Sequence, residues 1–176
     1  MDRFSSWLKY QIIKLFHLEG ITGVLRFCDW GEITIVRADG RIEHKVLKKR
    51  WNIITNTGKA EAANLLGNVS TPHAFTYLAV GSDDTAENAT QTGLIAEITD
   101  GGLARAAATV TRVQTTVSND TLNLYKDWTG SATRTIKECG VFNDPTTGIM
   151  LGRKLTGTTV INNLDHFQLT YKVACS

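Results

Sequence analysis

Residues 166–173 alternate strictly: Phe167, Leu169, Tyr171 and Val173 are apolar, and His166, Gln168, Thr170 and Lys172 between them are polar. A period of two puts each set on its own face of an extended chain, so this run reads as a strand with one buried and one wet face. Such a strand cannot bury its apolar side alone. It needs sheet neighbours and a second layer.

The rest of the chain supplies candidates. Glu32–Arg37 and Arg41–Leu47 flank Asp39-Gly40, a pair suited to a two-residue type I′ hairpin turn. Ala104–Val117 and Thr121–Trp128 flank Ser118-Asn119-Asp120, and Thr133–Phe142 and Ile149–Leu155 flank Asp144-Pro145-Thr146-Thr147-Gly148, which predicts two further antiparallel pairs. Phe75–Val80 reads as a strand ending at Gly81, followed by a polar loop over Ser82–Thr92. Fifteen Gly, two Pro and 8% aromatic residues fit short strands joined by tight turns. One short helix is expected over Gly58–Leu66, with N-caps in Thr55-Asn56-Thr57 and a stop at Gly67-Asn68. The predicted fold is therefore mainly β: an antiparallel, jelly-roll-like β-sandwich with one short helix, occupying residues 51–176.

The front of the chain reads differently. From Ser5 to Leu18 the apolar residues Trp7, Leu8, Ile12, Leu15 and Leu18 recur at three- and four-residue steps, with Lys9, Lys14 and His17 off the stripe. This predicts an amphipathic helix, packed on its own domain or docked on another subunit. Too few cations accompany it for a membrane-surface helix. Residues 1–51 hold ten Lys/Arg against six Asp/Glu, while 52–176 hold nine against eleven, so a net charge of +2 hides a basic front and an acidic body. Lys48-Lys49-Arg50 closes the second hairpin arm as a solvated edge that discourages aggregation, or as a contact for an acidic face. Residues 1–50 are expected to form an attachment arm of helix and hairpin.

Composition narrows the function classes. With 176 residues, 42% hydrophobic and 20% charged, the chain can bury a core, which disfavours disorder. The near-neutral balance does not advertise nucleic-acid binding. Cys28, Cys139 and Cys175 are too few and too dispersed for a disulfide framework or a Cys-x-x-Cys site. No apolar run reaches the roughly 18 residues of a membrane span, and the opening Met1-Asp2-Arg3-Phe4 lacks signal-peptide order, so use without secretion is expected.

A search for catalytic patterns finds no Gly-x-Ser-x-Gly elbow, Walker loop, His-Glu-x-x-His or Gly-x-Gly-x-x-Gly. His17, His44, His73 and His166 stand singly, without a neighbour at ligand spacing. Asp83, Asp84 and Glu87 gather in the polar loop but lack the alternate oxygens and turn glycine of a calcium loop, so a solvated loop is expected there. Cys139 beside Glu138 reads as inert strand packing. No catalytic residue, cofactor or metal is expected. A carbohydrate platform would have to use Trp51, Tyr77, Tyr125 or Trp128, most of them in strand-like runs where core packing is the simpler fate.

Several segments, in order, resemble one family. They are Asn52-Ile53-Ile54-Thr55-Asn56-Thr57-Gly58, Ala62-Ala63-Asn64-Leu65-Leu66 and Phe75-Thr76-Tyr77-Leu78-Ala79-Val80-Gly81-Ser82. Leu94-Ile95-Ala96-Glu97, the run Arg105–Val117, Thr135-Ile136-Lys137-Glu138-Cys139-Gly140-Val141-Phe142-Asn143 and Met150-Leu151-Gly152-Arg153 follow, closed by the alternating strand. Over roughly residues 50–174 the chain resembles small virion structural proteins of tailed bacteriophages, described as head-decoration, tail or tail-fibre components. The resemblance implies a non-enzymatic, homo-oligomeric virion protein, assembled in the bacterial host cytoplasm, whose partners are other virion proteins: the major capsid protein or tail components. A capsid decoration protein is the leading expectation, and a tail-fibre or tail-adaptor protein the alternative. The contacts would fall on Trp7, Leu8, Ile12, Leu15, Lys48, Lys49 and Arg50 of the arm, without nucleic acid or membrane. Within the matching segments, Gly58 and Gly81 are expected where strands turn. Glu138-Cys139-Gly140 suggests a bulge, its carboxylate capping a loop or pairing with Arg105 or Arg153.

Overall fold

The computed structural model describes residues 26–51, the last three by backbone alone, and 54–175. The expected helix over Ser5–Leu18 lies outside them. The described elements are β1 (Phe27–Val36), β2 (Ile42–Trp51), α1 (Asn56–Gly67), β3 (Tyr77–Gly81), β4 (Ala106–Ala107), β5 (Thr109–Val113), β6 (Thr121–Thr129), β7 (Arg134–Phe142), β8 (Met150–Ile161) and β9 (His166–Cys175). The strands form two antiparallel sheets, ordered β2-β1-β9-β6-β5 and β4-β3-β7-β8. The fold is a β-sandwich with one short helix.

The alternating strand sits where its pattern demands. β9 lies between β1 and β6, and Phe167, Leu169, Tyr171 and Val173 are at most 2% exposed, facing Leu78, Val80 and Val141 of the other sheet in one core. Ile33 and Ile35 of β1 pair with Leu169 and Phe167 and join the same core. Trp128 packs there too, its ring 6.0 Å from that of Phe167 and its indole N–H donating to the Ala104 carbonyl.

That pairing corrects the boundary expected at residue 50. The hairpin β1–β2 is not an arm but the outer part of the five-stranded sheet, because the inward residues of β1 are core residues. Its tip is also pinned: Arg37 donates to the Asp165 carboxylate at 2.8 Å and to the Val160 carbonyl at 2.7 Å, while the Ala38 amide donates to Asp165 at 3.0 Å. The turn differs from the two-residue form as well. Only Gly40 has a positive φ, 86°, and the Gly40 amide donates to Arg37 O while Arg37 and Arg41 close the ladder, giving a three-residue loop with Gly40 at the bulge position.

Helix α1 starts and stops as its caps predict: the Thr55 hydroxyl accepts from the Gly58 amide, and Asn68 ends it in the left-handed region at φ 47°. Gly58 and Gly81, however, do not mark strand turns. A Cβ on Gly58 would lie 2.6 Å from the Leu151 carbonyl oxygen, and one on Gly81 would collide with the Glu138 carboxylate, so both glycines permit close approach.

The expected single strand over Ala104–Val117 is divided. β4 pairs with β3 in one sheet and β5 with β6 in the other, the chain crossing between sheets at Ala108, whose amide donates to Thr76 O. The alanines at 106–108 leave little side-chain bulk to resist that corner. The bulge expected at Glu138-Cys139-Gly140 falls on the partner strand instead: Glu138, Cys139 and Gly140 pair in regular register with Leu155, Lys154 and Arg153, while the ladder jumps from Ile136–Thr159 to Glu138–Leu155 and the extra residues lie in β8, where Gly157 takes φ 63°. The outer face of this sheet is not wet. Ala79, Phe142 and Met150 form a second small core with Leu94, so β7 is buried on both sides from Glu138 onward.

Candidate functional site

Two charged side chains of β7 and β8, Glu138 and Arg153, are bound inside the molecule. The Glu138 carboxylate accepts from Arg153 Nε at 2.5 Å and from the amides of Ile95 and Ala96 at 3.3 and 2.9 Å, so it both pairs with an arginine and caps a loop. Both side chains of the pair are fully buried. Arg153 continues to the Thr85 carbonyl at 2.8 Å and to Gln91, fastening the 82–92 loop onto the sheet. Arg105 takes a different carboxylate: it pairs with Glu97 at 2.6 Å and lies 3.6 Å over the Phe142 ring.

The acidic loop is therefore not merely solvated. Asp84 pairs with Lys137 at 2.9 Å, and Glu87 accepts from the Leu155 amide at 2.6 Å. These carboxylates are directed at the sheet and not at a common point. Among the described residues no group of His, Cys, Asp or Glu could hold a metal ion. His44 hydrogen-bonds Thr34, and His166 faces Asp127 at 3.1 Å, both on the outer face of the five-stranded sheet, where Gln168 pairs with Thr34 and donates to Asp127.

A second buried polar cluster had no signature in the sequence. Lys154 Nζ donates to the Asp29 carboxylate at 2.7 Å, and the Tyr171 hydroxyl donates to its other oxygen at 2.5 Å. Burial, then the neighbouring carboxylate, hold the Tyr171 phenol well above its usual range. Burial likewise pushes the nearby Cys139 thiol up, so it is an inert packing residue at neutral pH. Asp29 and Lys154 stand 125 residues apart in the chain and meet only because their sheets face each other.

The described surface concentrates its unusual features on β2. This ten-residue strand is an edge of the sheet among the described residues, and it exposes Ile42, Val46 and Lys48. Val46 is 72% exposed, high for an apolar residue in a long strand. Lys45 and Lys48, with Glu87 and Lys154, line a cavity of about 280 Å³ between β2 and β8. Of the expected contact residues, Lys48 is thus on an exposed edge; Lys49 and Arg50 lie in β2, their side chains outside the described set; Trp7, Leu8, Ile12 and Leu15 lie outside it entirely. Among the rings considered for carbohydrate, Trp128 is spent in the core and Tyr125 is 37% exposed on β6. No described helix is long and apolar enough to cross a membrane.

No family model, curated protein or solved structure matches the chain.

Proposed function

We propose that this chain is a non-enzymatic structural component of a tailed-bacteriophage virion, a capsid decoration protein that binds neighbouring virion subunits. The ordered segments from Asn52 to Arg153 support the reading. The observation that carries it is the β2 edge, open among the described residues, long and basic in sequence, with Ile42 and Val46 presented to solvent. A strand of this kind offers main-chain groups, apolar contacts and charge together, which suits a protein interface. Lys48, exposed on that edge, would meet an acidic face of the neighbouring subunit.

The test is to purify virions assembled in the presence of the tagged chain and to image the tag. A lattice over the head is the expected result, with occupancy lowered by Val46→Asp or Lys48→Glu. A ring or fibre base on the tail would replace decoration by the tail-adaptor reading. A chain that never accompanies particles would overturn both.

A further inference from the structure

Among the described residues β2 ends the five-stranded sheet and β8 the four-stranded one, and the cavity of about 280 Å³ lies between these two edges. Along β2 the ladder alternates. The Arg37 amide donates to the Arg41 carbonyl at 2.8 Å, which makes Glu43, Lys45 and Leu47 the residues whose main chain bonds to β1. The N–H and C=O groups of Ile42, His44 and Val46 therefore point away from β1, and no described residue meets them. The side chains alternate as well: Lys45 and Leu47 turn inward with Ile33, and Ile42, His44 and Val46 stand on the outer face. The Lys45 ammonium reaches across the cavity to β8, where a Cβ on Gly157 would lie 2.7 Å from Nζ. Lys154 is held by Asp29, but neither Lys45 nor Lys48 has an ion-pair partner among the described residues.

We infer that this flank takes an extended acidic segment of a partner protein, added antiparallel to β2 as a further strand with carboxylates over Lys45 and Lys48. Unpaired main-chain groups on three alternate residues are the template that strand addition needs. An antiparallel direction matches every other pairing in the sheet. The added strand would present its side chains in two rows. One row lies beside Ile42 and Val46, 59% and 72% exposed, and is apolar. The other lies over the cavity, whose lining sets Lys45, Lys48 and Lys154 against Glu87 alone and is net positive. Charge complementarity thus selects carboxylates in that row and rejects a basic segment. The inference rests on the reading of β2 as an interface and names the chemistry of what meets it. Its test needs no particle, so the two fail separately: a chain that binds the peptide below but never accompanies virions refutes only the virion reading.

The probe is a fluorescein-labelled peptide of alternating Val and Glu, titrated with the full chain and read by fluorescence anisotropy. Saturable binding is expected, weakened at least about tenfold when every Glu is replaced by Gln. In antiparallel addition the Val residues stand opposite Ile42, His44 and Val46 and make the main-chain bonds. N-methylation of the Val amides should therefore weaken binding at least about tenfold, while N-methylation of the Glu amides leaves it within about twofold. Lys45→Glu should lose affinity for the Val–Glu peptide and gain it for the Val–Lys peptide, an exchange that only a folded edge can make. The peptide comparisons use the native chain and stand whether or not that variant folds. Absence of binding, an undiminished affinity for the Gln peptide, or equal losses from the two methylated peptides would each overturn the inference.

Discussion

Glu138 and Arg153 form a fully buried ion pair, 2.5 Å apart on neighbouring strands, and the same carboxylate holds the amides of Ile95 and Ala96. A charge removed from water keeps its place only while its partners remain. The pair therefore couples two strands to the 82–92 loop and the Ile95–Ala96 backbone.

Arg153→Met should lower stability by about 3–5 kcal/mol, because Glu138 would be left as an uncompensated charge. Adding Glu138→Gln should recover part of the loss, since the neutral amide tolerates burial better and no orphan charge remains. Urea unfolding of the two variants checks this; a double variant no better than Arg153→Met would refute the charge argument.

The Asp29–Lys154–Tyr171 cluster gives a second expectation. Tyr171→Phe removes the hydroxyl that donates to Asp29 and keeps the ring in the core, so it should cost about 1–3 kcal/mol through one unsatisfied carboxylate oxygen. Thermal unfolding measures it directly. A neutral substitution would mean that Lys154 alone satisfies the carboxylate.

Asp120 makes part of the stability depend on pH. The amide of Val117, then those of Thr116 and Thr115, and the Thr121 hydroxyl donate to its carboxylate and hold its pKa far below the usual range. A depressed folded-state pKa stabilises above the unfolded value, near 3.9, and that contribution is lost as pH falls through the folded value. Asp120→Asn should therefore be less stable than the parent at pH 7, with the gap narrowing as pH drops below about 4. Denaturation midpoints of the two proteins across that range are the measurement, and a gap that does not narrow contradicts the assignment.

Gly58→Ala should destabilise the protein although alanine is the better helix former by about 1 kcal/mol. The new Cβ would sit 2.6 Å from the Leu151 carbonyl oxygen, and backbone cannot yield as a flexible side chain does. The expected cost is about 1–3 kcal/mol, seen as a lowered Tm.

Much of the fold was legible along the chain wherever a signal was local. The alternation in β9, the caps of α1, the turn at Asn119 and the pairing of β5 with β6 and β7 with β8 all rest on residues within a few positions of one another. The pairing of Glu138 with Arg153 was within reach for the same reason, as adjoining strands are joined by a short turn, whereas the bulge fell on β8 and not at Glu138. The hairpin was visible too, but not its membership of the sheet, because the residues that secure it, Phe167, Leu169 and Asp165, lie over 120 positions away. Likewise nothing near Lys154 or Asp29 announced a buried pair, and nothing near Ala108 announced a change of sheet.

By itself, then, the order of residues determined which segments extend, where they turn and which face of each is apolar, since periodicity and turn chemistry act over a few residues. The tertiary structure alone decided which strands became neighbours, that the basic hairpin is part of the sandwich, and that its polar interior is tied by Glu138–Arg153 and Asp29–Lys154. Those outcomes depend on burial and charge pairing between distant segments. Such forces exist only once the two sheets have closed and excluded water.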